Sequence, residues 1–126
     1  MNMMPTGSLA AESGIPGISR DDMIRYLADV VGRLHMKNLG GIQRIEGWTK
    51  EKVADLPVAE TVFEIMAQQL EIMGIYTDGT VGGVMEALGY VRGSQEAKNV
   101  AHEIGCDCHG EFISPLMASQ RILNLV

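Results

Sequence analysis

Apolar positions along this chain fall into helical rows more often than alternating ones. The strongest row runs from Pro57 to Met73, PVAETVFEIMAQQLEIM, and closes at Gly74. Wound at about 100° per residue, Val58, Ala59, Val62, Phe63, Ile65, Met66, Leu70, Ile72 and Met73 cover roughly 200° of its surface. Glu60, Thr61, Glu64, Gln68 and Glu71 gather into a narrow polar stripe. A helix apolar over half its circumference needs neighbours on more than one side. The pattern therefore predicts a central helix whose acidic edge reaches water.

The other elements follow from similar punctuation. Ser19 offers an N-cap, with Asp21 and Asp22 in the positive first turn. Met23, Leu27, Val30, Val31 and Leu34 come next at helical spacing, with Ile24 and Tyr26 widening the face. Arg25, Asp29 and Arg33 fall outside that face, and the helix is expected to end near Lys37 and Asn38, before Gly40-Gly41. Ile42 and Ile45 read as a brief extended piece or a single turn. Thr49 reads as the cap of a short helix, Lys50 to Leu56, stopped by Pro57, with Trp48 as an anchor at the join.

Asp78-Gly79 predicts a turn, and Thr80 caps a short helix through Val84, Met85 and Leu88 that closes at Gly89. Gly82 and Gly83 should weaken its first turn by about 1 kcal/mol each relative to Ala. Ser94 caps the next helix, Gln95 to Ile104, ended by Gly105. Ser114-Pro115 is an N-cap and N1 pair, opening a last helix with Leu116, Met117, Ile122 and Leu123 as its apolar residues. Residues 1–18 hold three Gly, two Pro and three Ser or Thr with no sustained period, the composition of a flexible arm. The expected architecture is an all-α compact bundle of five or six helices, with an extended N-terminal arm at 1–18 and one helical domain at 19–126.

Composition changes this picture only in places. A chain of 126 residues can bury a self-sufficient core. With aromatics at 5%, that core must come from Leu, Ile, Val, Ala and nine Met, residues that fill gaps and can also re-pack at interfaces. A formal charge of −6 disfavours nucleic acid and anionic membranes, both of which attract Lys and Arg. Cys106 and Cys108, one residue apart, suit a strained bridge poorly and a reducing, cytoplasmic compartment better. Neither a signal peptide nor a membrane span stands out.

Candidate chemistry concentrates in one place. His102, Cys106, Cys108 and His109 supply four imidazole or thiolate groups, enough in number for tetrahedral zinc. Their spacing departs from the usual pattern of two ligand pairs a dozen or more residues apart. The alternative is a polar loop with small thiols. A Cys106 nucleophile paired with His102 or His109 would also break the habit of catalytic Cys and His lying far apart in sequence. Val100, Ala101, Ile104 and Gly105 match the first helix and turn of a helix-turn-helix, but the following CDCHGEFISP carries acid and proline where a groove-reading helix needs polar or basic residues.

Elsewhere the signals are weaker. Glu60, Glu64 and Glu71 lack the Glu-x-x-His partner of bundle metal sites and read as a solvated stripe. His35 reads as a cation near a helix end. Neither a nucleophile elbow nor a phosphate-binding loop occurs. The expected function is a non-catalytic interaction or assembly subunit, packing against itself or a protein partner through Met-rich apolar surface and the arm. A zinc-type regulator or small enzyme built on the Cys/His loop is the alternative, and a helix-turn-helix regulator a weaker one.

Overall fold

The computed structural model describes residues 17–34, 49–59, 61–105 and 115–126. Within them the chain forms five α-helices: α1 (Arg20–Leu34), α2 (Val62–Ile72), α3 (Val81–Ala87), α4 (Gln95–Gly105) and α5 (Pro115–Leu123). The all-α bundle read from the sequence is the fold. Among the described residues there is no strand, and Pro57 and Thr80 form an antiparallel β-bridge.

Capping sets several of the boundaries. The Ser19 hydroxyl accepts from the Asp22 amide at 3.1 Å and starts α1 as expected. Ser94 does the same for α4, accepting from Ala97 N at 3.1 Å. Thr80 accepts from Gly83 N at 3.1 Å and starts α3. Each satisfies an amide that the first helical turn leaves without an internal partner. Gly74 (φ 90°), Gly79 (φ 82°) and Gly89 (φ 101°) turn the chain in the left-handed region, where a side chain would be strained.

Four expectations change. The helix read from Pro57 to Met73 begins only at Val62, because Thr61 caps it by accepting from Phe63 N at 3.2 Å. Thr61, placed by sequence in the polar stripe, is buried, and its hydroxyl donates to Val58 O. Residues 56–58 leave the helix to pair with the turn before α3: Val58 N donates to Gly79 O at 3.0 Å and Val81 N to Leu56 O at 2.9 Å. Upstream, the short helix read after Thr49 is one turn followed by a 3-10 turn at Val53–Asp55.

The last change concerns α5. Its buried residues are Pro115, Ala118 and Ile122, whereas Leu116 and Leu123 are each 48% exposed and Met117 41%. Beside Ile122, the small Ala118 and Ser119 sit where α1 comes close. A Cβ on Gly32 would lie 2.9 Å from Ser119 Oγ, and that hydroxyl donates to Ala28 O at 2.6 Å. Large side chains at 116, 117 and 123 have no room on that side.

The core is continuous. Met23, Ile24, Leu27 and Val31 of α1 join Phe63, Met66 and Leu70 of α2, Val84, Met85 and Leu88 of the α3 region, Ala101 and Ile104 of α4, and Ile122 of α5. Gly82 and Gly83 are buried parts of it, and a Cβ on Gly82 would meet the Ala54 carbonyl oxygen at 2.8 Å. The helix penalty at Gly82 is what permits the 3-10 turn to pack directly on α3.

Arg20 ties three chain segments together. Its Nε donates to Leu88 O at 2.6 Å, one Nη donates to Leu125 O at 3.3 Å, and the guanidinium sits 5.4 Å over the Tyr90 ring. A cation there satisfies carbonyls at the ends of α3 and α5, where the helix dipoles are negative.

Candidate functional site

His102 stands on α4, half-buried, one turn before the helix ends at Gly105. Cys106, Cys108 and His109, the other three residues of the predicted cluster, lie outside the described residues, as do Trp48, His35 and the segment 106–114 that a helix-turn-helix reading requires. Among the described residues no group of three His, Cys, Asp or Glu side chains converges in a way that would hold a metal ion. Glu71 of the acidic stripe is exposed and Glu64 half-buried, beside a shallow cleft that also takes in Gln68 and Thr77.

The most concentrated electrostatics belong to a pair separated by fourteen positions in sequence. Asp78 Oδ2 accepts from Arg92 at 2.6 Å, while Oδ1 accepts from the Thr80 amide at 3.1 Å and from the Thr80 hydroxyl. The same Arg92 nitrogen donates to Thr80 Oγ1 at 2.9 Å. The Thr80 hydroxyl and then Arg92 hold the Asp78 carboxyl down at about 2, from an ordinary 3.8. Bonding to Asp78 raises the Arg92 guanidinium in turn. Every charged or polar group in the cluster is engaged by another, so it works as a clasp at the start of α3. Sequence offered Asp78 as a turn residue and Thr80 as a cap, but no local signal for Arg92.

Two further surfaces remain. A cleft of about 390 Å³ lies between the start of α1 and the end of α2, lined by Ile18, Met23, Tyr26 and Met73 with Asp22 as its one carboxylate. The Tyr26 hydroxyl donates to Gln69 Oε1 at 2.9 Å, bridging the two helices. Beyond Met73 in the chain, Tyr76 is 75% exposed, and Ile72 just before it is 76% exposed. A second cleft, about 240 Å³, separates α4 from α5 and is lined by Asn99, Val100, Glu103, Arg121 and Leu125 among others. Arg121 spans it by donating to Glu103 O at 2.6 Å.

Methionine contributes less to these surfaces than composition suggested. Met23, Met66 and Met85 are core residues, Met73 lines the first cleft, and Met117 is exposed. Ile, Leu, Val and Tyr supply most of the apolar surface among the described residues. No helix there is long and apolar enough to cross a membrane. No protein-family model matches the chain, and no curated protein or solved structure does either.

Proposed function

We propose that this chain is a non-catalytic interaction subunit, working in the cytoplasm by packing against itself or a larger protein partner. The observation that carries this reading is the set of large apolar side chains left in solvent. Ile72 and Tyr76 are three-quarters exposed on either side of Met73, a wall of the apolar cleft that Ile18, Met23 and Tyr26 complete. Isolated exposed apolar residues are ordinary, but a cleft of this kind with exposed neighbours in the chain fits a contact surface. Ile18, the last residue of the predicted arm, lines that cleft, and we assign the arm to the same contact.

A second reading, a zinc-type regulator or small enzyme, is favoured by the place of His102 four residues before Cys106. Elemental analysis beside solution mass separates the two. A metal-free assembly supports the interaction reading. A monomer carrying about one equivalent of zinc overturns it, because a structural site binds through its deprotonated ligands in that ratio.

A further inference from the structure

Helix α2 and the chain around it line an open groove of about 230 Å³ beside Glu71. That is below the roughly 300–1,000 Å³ of small-molecule sites, and suits part of a peptide better than a whole organic ligand. Glu64, Ala67, Gln68 and Glu71 recur at helical spacing, so a single face of α2 lines the groove. Val58 and Thr77 line it from outside the helix. The Thr77 side also offers main chain. Residues 75–78 belong to no helix, and they alternate between half-buried and exposed, as residues of a strand do. They lead into Thr80, which is extended (φ −112°, ψ 159°) and bridged to Pro57. Among the described residues, no hydrogen bond engages the backbone amide or carbonyl of Tyr76 or Thr77. Tyr76 is 75% exposed, so that stretch is open to solvent.

We propose that an extended, basic segment of a protein partner docks in this groove. Its main chain pairs with Tyr76 and Thr77, and one of its Lys or Arg side chains sits beside Glu71. The proposal rests on the interaction reading above and names the chemistry of the partner. An added strand draws affinity from unpaired main chain and specificity from alternate side chains. Glu71 is exposed at the groove, where a cation on the partner meets its carboxylate. The aliphatic stem of that side chain covers Val58 and Ala67 while its charged head stays in water. The whole chain favours the same partner, because a charge of −6 attracts a basic segment and repels an acidic one.

Fluorescence anisotropy of a short dye-labelled peptide of alternating Val and Lys, titrated with the full chain, tests this. The peptide should bind, and Glu71→Lys should weaken it at least about tenfold by setting like charges together. That variant should fold, since Glu71 is exposed and a cation suits the last turn of a helix. Glu96→Lys, the same change on α4 and outside the groove, should leave binding nearly unchanged. Alternate amides of a strand face the same edge. N-methylating one alternate set of peptide residues should therefore weaken binding about tenfold, through two lost hydrogen bonds, and N-methylating the other set should not. A peptide that fails to bind, or that binds regardless of Glu71→Lys or of both N-methyl patterns, overturns the docked segment and leaves the interaction reading standing. A zinc-loaded monomer overturns both.

Discussion

Two helix contacts in this molecule reach the same burial by opposite means. Helix α2 buries size: Phe63, Met66 and Leu70 are fully inside, and their bulk fills the space towards α1 and α3. The α1–α5 contact, the most extensive between any two helices here, buries smallness. Ala28, Gly32, Ala118 and Ser119 let the backbones approach until the Ser119 hydroxyl reaches the Ala28 carbonyl at 2.6 Å. Transfer from water drives the first kind, because large side chains remove more apolar area. Close atomic contact dominates the second, where little area is carried by any one side chain.

The largest expected effect tests the α2 side of this contrast. Leu70→Ala should cost about 2–5 kcal/mol, the range for emptying a buried leucine site whose walls relax only partly. Urea unfolding should show the midpoint falling with the slope unchanged. A loss below about 1 kcal/mol would mean that α2 is not packed as described.

The α1–α5 side should break under addition. Gly32→Val puts two methyl groups where a single Cβ already meets Ser119 Oγ at 2.9 Å. It should cost about 1–3 kcal/mol, as overpacking does. Gly32→Ala should lose less, because alanine gains about 1 kcal/mol of helix propensity over glycine. Adding Ser119→Gly should recover part of the Gly32→Val loss. A double-mutant cycle with no coupling between positions 32 and 119 would contradict the close approach.

The contrast also explains what could be read in the sequence. The interior of α2 was legible at Val62, Phe63, Met66 and Leu70, where large residues keep a regular period, but Ile72, read into the same apolar arc, is exposed at the end of the helix. Helices α1, α3 and α4 were legible because Ser19, Thr80 and Ser94 announce their starts chemically. On α5 periodicity found Ile122, which is buried, but gave no sign that Leu116, Met117 and Leu123 stay exposed while Ala118 takes an inner position against α1. Thr61 was misread for a related reason: a buried hydroxyl that donates to Val58 and accepts from Phe63 looks the same in sequence as a solvated one. Nor could the packing of Ala54 against Gly82, or the reach of Arg20 and Arg92 to distant partners, be seen without tertiary structure. Of the Cys/His candidates, only His102 falls among the described residues.

A surface clasp should matter less than either interior. The Asp78 carboxyl, at about 2, binds protons more weakly folded than unfolded. Its contribution is therefore fully present above the ordinary value of 3.8 and is lost as pH falls through about 2. The side chain is half exposed, so solvent screening holds the effect to about 1 kcal/mol. Asp78→Asn should be less stable than wild type by that amount near neutral pH, and the gap should close in acid. A gap independent of pH would show that the carboxylate charge contributes nothing.

The smallest effect repeats the leucine deletion in the other region. Leu123→Ala removes the same three carbons and hydrogens as Leu70→Ala, from the final residue of α5. That side chain is 48% exposed, so much of its surface is already wet in the folded state. Losing it opens no enclosed cavity, and alanine is at least as good a helix former. The cost should stay below about 1 kcal/mol when measured at protein concentrations too low for self-association. Dilution keeps self-association out of the comparison. If the two leucine deletions cost the same in the dilute monomer, then Leu123 is as enclosed as Leu70, and the inside of α5 has been drawn on the wrong side.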